Sequence, residues 1–119
     1  MTKRIIIAED AETMRRMYLI ALRLGGDKYD IKEAKDGVEA LDIIKADGNP
    51  DLLSTDINMP RMDGYELIEE LERRGNKHPI VIVSSGFSAE RIKYSGRLEY
   101  IPKPINMVNY IKKIEELLA

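Results

Sequence analysis

The chain has no cysteine. Disulfide scaffolds, thiolate zinc sites and cysteine nucleophiles are therefore excluded. It has no strong charge of either sign. The net charge is −2, with both signs mixed along the chain. No basic tract stands out, which argues against a nucleic-acid surface. It also lacks any apolar run long enough to cross a membrane. The N-terminal run Ile5-Ile6-Ile7-Ala8 is too short for a secretory signal and is stopped by Glu9-Asp10. No repeat, linker or low-complexity segment appears. With 119 residues, 44% hydrophobic and 34% charged, the expectation is one soluble globular domain over residues 1–119, in the cytoplasm, with no output domain attached.

What is present alternates between two kinds of segment. Short apolar or β-branched runs lie at Ile5-Ile6-Ile7, Tyr29-Asp30-Ile31, Leu52-Leu53-Ser54, Ile80-Val81-Ile82-Val83 and Tyr100-Ile101. Between them the apolar residues follow helical spacing. The first helix has Met14, Met17, Tyr18, Ala21 and Leu22 on one face and stops at Gly25-Gly26. The second has Ala40, Leu41 and Ile44. The third has Leu67, Ile68 and Leu71, and the fifth has Met107, Tyr110, Ile111, Ile114 and Leu118. A fourth, from Ser88 to about Ser95, is short and weakly patterned. Five strands alternating with five helices predict an α/β fold, a parallel sheet covered on both faces. Right-handed crossovers restrict it to a few doubly wound orders.

The polar residues just past each strand carry the chemistry. Glu9 and Asp10 follow the first strand, Asp56 the third, Ser84 and Ser85 the fourth, and Lys103 the fifth. In open α/β sheets ligands bind at this carboxyl edge, where the strand order reverses. If the order is 2-1-3-4-5, these residues converge on one cleft. Two carboxylates about 4 Å apart repel by roughly 4 kcal/mol at an effective dielectric of ~20. A proton or a cation must relieve that. Magnesium suits such a site, because it needs few protein ligands and keeps waters that a phosphate can replace. Lys103 adds a second positive charge, and the Ser84 hydroxyl a donor. A carboxylate nucleophile, a metal and a cationic clamp are the parts phosphoryl transfer needs.

At these residues the sequence resembles the receiver domains of two-component response regulators. The most specific segment is Asp56-Ile57-Asn58-Met59-Pro60-Arg61-Met62-Asp63-Gly64. Glu9-Asp10, Ser84-Ser85 and Tyr100-Ile101-Pro102-Lys103-Pro104 complete the match. The resemblance spans essentially the whole chain and implies a flavodoxin-like sheet of order 2-1-3-4-5. It implies that Asp56 is the phosphoacceptor and a magnesium ligand. Asp10 would be a direct ligand, Glu9 would act through water, and Asn58 would offer its backbone carbonyl. Ser84 is implied as the switch hydroxyl and Tyr100 as the switch aromatic. Lys103 is implied as the clamp, on a Lys-Pro bond that is usually cis in the family. The implied role is a signalling switch rather than a turnover enzyme, with self-catalysed phosphorylation and dephosphorylation only. Its implied partners are a histidine kinase or phosphotransfer protein, docking near the first helix, and a target on the face formed by the fourth helix, fifth strand and fifth helix. The chain itself is expected to be a monomer or weak dimer.

Some residues depart from the pattern. Glu9 stands for the commoner aspartate, Ser84 for threonine, and Ser54-Thr55 make the third strand unusually polar. Taken singly, each site residue also has a plain structural role: Asp56 as a turn residue, Glu9-Asp10 as caps of the first helix, Ser84 bonded to local backbone, Lys103 as a solvated lysine, Tyr100 as a packed aromatic. His78, before Pro79, is expected at the surface. Two other function classes use similar residues. A haloacid-dehalogenase-like phosphatase needs an acid two residues after its nucleophile, where this chain has Asn58. A phosphorylation-independent binding module has no need of the acid residues and Lys103. Asn58 and Gly86, each two residues past a site residue, are modest in size, which predicts easy water access and a short-lived phosphoform.

Overall fold

The computed structural model describes residues 2–119. Five strands are formed: β1 (Lys3–Ala8), β2 (Tyr29–Ala34), β3 (Leu52–Thr55), β4 (Ile80–Ser84) and β5 (Leu98–Pro102). They make one parallel sheet of order β2-β1-β3-β4-β5. Four α-helices connect or follow them: α1 (Glu12–Arg23), α2 (Gly37–Asp47), α3 (Gly64–Arg73) and α4 (Met107–Leu118).

The period of two along the strands divides the core. Ile6, Ala8, Leu53, Ile80 and Ile82 face the layer of α2 and α3, packing on Ala40, Leu41, Ile44, Leu67, Ile68 and Leu71. Ile5, Ile7, Leu52, Val81 and Val83 face α1 and α4, packing on Tyr18, Leu22, Tyr110 and Ile114. Strands buried on both faces need apolar side chains at every position, which explains the near-continuous runs in β1 and β4.

Local signals set the helix ends. Asp36 caps α2 by accepting from the Glu39 backbone N–H. Asp63 and Glu66 form a reciprocal capping box at α3. Gly26, Gly48 and Gly75 end their helices at positive φ.

Three expectations are corrected. Among the described residues there are four α-helices, not five: the segment after β4 makes only a 3₁₀ turn at Ala89–Arg91. Between Gly86 and Gly96 it has too few apolar residues for a helical stripe, and so short a helix does not offset its nucleation cost. Phe87, Ile92 and Tyr94 instead drop individually onto the core beside α3. Met17 is 45% exposed, because the buried stripe of α1 centres on Tyr18, Ala21 and Leu22. His78 is buried, at 8% exposure. Tyr94 donates to its carbonyl and packs against its ring, drawing the chain between β4 and β5 over it.

Candidate functional site

The order of the sheet puts its switch point between β1 and β3. Ala8 pairs with Thr55, so Glu9 and Asp56 leave the sheet side by side. The Asp56 N–H donates to the Ala8 carbonyl, and the Glu9 N–H to the Ala34 carbonyl, each at 3.0 Å. Ser84 ends β4 and Lys103 follows β5. The Lys103 N–H donates to the Ser84 carbonyl at 3.0 Å, locking these two ends together.

The side chains meet where the backbone directs them. Lys103 Nζ donates to Asp56 Oδ2 at 2.8 Å and to Glu9 Oε1 at 3.0 Å. Asp56 Oδ1 accepts from the Ile57 N–H at 2.6 Å. Glu9 Oε2 accepts from the Ala11 N–H at 3.1 Å. Asp56 is 6% exposed and Glu9 1% exposed, while Asp10 is exposed. Oxygens of Glu9, Asp10 and Asp56 all lie within 4.8 Å of one another. With Lys103 the group carries a net charge of −2.

That charge shows in the titration of the group. Burial raises the Glu9 pKa, and the Asp56 charge raises it further; the Ala11 N–H and Lys103 offset this only in part. Burial alone would lower Lys103, but its bonds to Asp56 and Glu9 hold its pKa above the ordinary value. One ammonium cannot cancel three carboxylates. The remaining donor set is three hard oxygens at metal-ligand spacing, one of them open to solvent, and it fits a hard divalent cation such as magnesium.

The other expected residues surround this cluster. The Asn58 side chain is exposed at the rim. Ser84 Oγ lies on local backbone, donating to the Gly86 carbonyl at 3.0 Å. Tyr100 is half exposed. Its hydroxyl donates to the Ser84 carbonyl at 3.0 Å, and its ring packs on Phe87 at 4.9 Å between centroids. The Lys103-Pro104 bond is cis. Glu9 and Asp10 do not cap α1: the N-cap is Ala11, and no side chain caps the helix.

Several supporting residues carry no signal in the sequence. Arg15 donates to the Glu9 carbonyl at 2.8 Å and pairs with Glu33 at 3.0 Å, and nothing in the pattern marks it. Arg61, at φ 63, ties the loop after β3 to Asp36 at 2.8 Å. A left-handed arginine has no sequence signature. The polar end of β3 is now accounted for: Ser54 bonds the Tyr110 hydroxyl at 2.8 Å, and Thr55 donates to the Asp56 carbonyl at 2.8 Å. A serine facing a helical tyrosine was visible in the sequence only to a reader who already had the register.

A five-stranded doubly wound sheet with an acid cluster at its switch point and a lysine across it defines a class of phosphoacceptor folds. Comparison with known proteins is specific. Residues 5–115 match the response regulator receiver domain, and the chain belongs to that family. Response regulator MprA of Mycobacterium tuberculosis (strain ATCC 25618 / H37Rv) is 35% identical over 121 residues, covering 99% of this chain and 51% of the relative. The chain spans about half the length of the curated relatives it matches. A CheY-like response regulator receiver domain protein from Methanospirillum hungatei JF-1 superimposes with a TM-score of 0.82 at 31% identity, covering 99% of this chain and 94% of that one. The receiver domain of a Francisella response regulator gives a TM-score of 0.85 at 27% identity, covering 98% and 97%. Receiver domains are phosphoacceptors of two-component signalling, partnered with histidine kinases or phosphotransfer proteins.

Proposed function

We infer that Asp56 is the residue phosphorylated in this receiver, and that a histidine kinase or phosphotransfer protein supplies the phosphoryl group. The observation that carries this reading is the Lys103 ammonium, bridging Asp56 and Glu9 at 2.8 and 3.0 Å inside a cluster of three carboxylates. An Asp56 oxygen attacks the phosphorus of a phosphohistidine. The new O–P bond forms as the N–P bond breaks, and the imidazole, already protonated on its other ring nitrogen, takes that bond's electron pair and leaves neutral. Lys103 neutralises charge on the phosphoryl oxygens. Glu9, Asp10, Asp56 and the Asn58 backbone carbonyl would hold magnesium, which when bound offsets the negative charge crowded there.

The donor docks beside α1. An apolar hollow lined by Met14, Met17, Pro104 and Ile105 opens next to Lys103, and it suits the apolar flank of a helical donor. Phosphorylation then spreads through Ser84. Its hydroxyl leaves the Gly86 carbonyl for a phosphoryl oxygen, and the loop after β4 follows. Tyr100 is tied to that loop through both Ser84 and Phe87, so it follows too. The output face is formed by this loop, β5 and α4, in the cytoplasm. Among the described residues no helix is long and apolar enough to cross a membrane.

The test is direct. Incubation with acetyl phosphate and Mg²⁺ should add one phosphoryl group by intact mass, and Asp56→Asn should abolish the adduct. An adduct that persists in the Asp56→Asn protein, or never forms in the native chain, overturns the assignment.

A further inference from the structure

Tyr18 is 2% exposed, yet its hydroxyl has no hydrogen-bond partner among the described residues. A buried unsatisfied donor calls for a reason. Tyr18 belongs to the apolar core cluster that includes Ile5, Ile7, Val83 and Ile101. The adjacent Tyr110 hydroxyl is committed to Ser54 at 2.8 Å. The two rings touch, with centroids 5.0 Å apart and planes tilted by 33°, which restrains the Tyr18 ring from swinging outward. The remaining polar neighbours are the carboxylates of the acid site. The ring lies against Tyr110, whose hydroxyl meets Ser54 two residues before Asp56; after burial itself, the Glu9 and Asp56 charges and a side-chain approach to Glu9 raise the Tyr18 pKa, yet the hydroxyl completes no hydrogen bond of normal length. The other buried side-chain atom without a partner, His78 Nε2, sits before β4 at the opposite edge of the sheet.

The geometry points to Tyr18 as a positioning residue for Glu9, a donor in reserve that engages the carboxylate when Lys103 turns toward a phosphoryl group on Asp56. This rests on the phosphoacceptor reading of Asp56. In the unphosphorylated protein Lys103 serves two carboxylates at once. A phosphoryl group on Asp56 draws the ammonium outward, leaving Glu9, 1% exposed, with only the Ala11 N–H as a donor. A carboxylate with a single donor is poorly held in a buried place. The Tyr18 hydroxyl completes its set from below, keeps its oxygens directed at the cation site, and resolves its own unpaired state in the same step. Phenylalanine would fill the space equally well but could not do this.

The chain has six tyrosines and no tryptophan, so tyrosine labelling is tractable. The full chain carrying ¹³Cζ-tyrosine is titrated with Mg²⁺ and beryllofluoride, with Tyr18 assigned by its loss in Tyr18→Phe. The Tyr18 Cζ resonance should move downfield while that of Tyr110 stays within its linewidth. Tyr18→Phe should slow phosphorylation by acetyl phosphate roughly tenfold, and Tyr110→Phe should leave the rate unchanged. If the Asp56 and Ile57 amides shift with beryllofluoride while Tyr18 Cζ does not, the role of Tyr18 is refuted and the acceptor reading stands. If none of these resonances moves, the acceptor reading falls and takes the Tyr18 role with it.

Discussion

A Cβ atom at Gly64 would lie 2.4 Å from the Asp56 carbonyl oxygen and 2.8 Å from the Ile57 Cα. Gly64 is the first residue of α3, and its N–H donates to the Ile57 carbonyl at 2.7 Å. The helix therefore starts pressed against the backbone that carries Asp56. Alanine is ordinarily the better helix residue, but here its methyl must displace main chain. Gly64→Ala should cost about 2–3 kcal/mol, lowering Tm by roughly 10 °C, and should reduce the extent of phosphorylation. Calorimetry showing an unchanged or higher Tm would contradict this close approach.

The raised pKa of Glu9 makes a signed statement about stability. Its causes are burial first, then the Asp56 charge, only partly offset. A carboxyl with a raised folded pKa favours folding below its unfolded value near 4.5, and that contribution is lost as pH rises through the folded pKa. Glu9→Gln keeps an acceptor for the Ala11 N–H and leaves Lys103 paired with Asp56. Without metal, its stability relative to the native chain should grow between about pH 4 and pH 8, by roughly a few degrees in Tm. Added Mg²⁺ should reverse the ranking, since a ligand that binds only the folded state stabilises it. Parallel stability curves for the two proteins would refute the account.

These consequences differ in how far the sequence announced them. Strand runs, helix faces and the carboxyl-edge residues were legible because periodicity and position after a strand are local signals. Glu9, Asp56 and Lys103 meet as expected, since a parallel sheet of this order leaves those strand ends no other arrangement. The fourth helix was not legible. Its weak pattern was compatible with a helix, and only the packing of Phe87, Ile92 and Tyr94 on α3 decides for a loop. His78 was misplaced for a similar reason: a polar neighbourhood in sequence says nothing about a tyrosine sixteen residues later closing over it. Tyr18 read as a plain core residue, because helical spacing gives the direction of a ring but not what its hydroxyl finds.

His78 is the only histidine in the chain, so its ring signals are unambiguous by NMR. Burial lowers its pKa, and a contact with the Pro79 carbonyl opposes this only weakly. Its Nε2 has no partner among the described residues. Its titration midpoint should fall below the ordinary imidazole value of 6.5. With a depressed folded pKa, the stability it contributes is full above the unfolded value and is lost as pH falls below it. His78→Phe should therefore lose less stability than the native chain between about pH 7.5 and pH 5. A ring titrating at or above 6.5 would rule this out.

Ser84 tests the proposed route from Asp56 to the surface. Its hydroxyl is held by the Gly86 carbonyl, and its carbonyl receives both Lys103 N–H and Tyr100 OH. Ser84→Ala removes only the hydroxyl and leaves both carbonyl bonds in place. Phosphorylation of Asp56 should continue within about threefold of the native rate, a difference under 1 kcal/mol in barrier. Beryllofluoride shifts at Phe87 and Tyr100 should shrink toward zero. If those shifts keep their full size in Ser84→Ala, the signal does not pass through this hydroxyl.

The lifetime of the phosphoform depends on how water reaches it. Asn58 is exposed at the rim, and a Cβ added at Gly86 would meet nothing within 4 Å. The loop beside Ser84 thus leaves open space where a larger side chain could stand. Gly86 is not at positive φ, so a side chain there is conformationally tolerated. A leucine at this position should cover the acyl phosphate from the β4 side and exclude attacking water. Gly86→Leu should slow dephosphorylation by roughly three- to tenfold, on the order of 1 kcal/mol in barrier, with the phosphorylation site unchanged. The decay of the phosphoryl adduct by timed mass spectrometry measures this. A decay rate equal to that of the native chain would mean that water enters from the Asn58 side, and Asn58→Met should then produce the slowing instead.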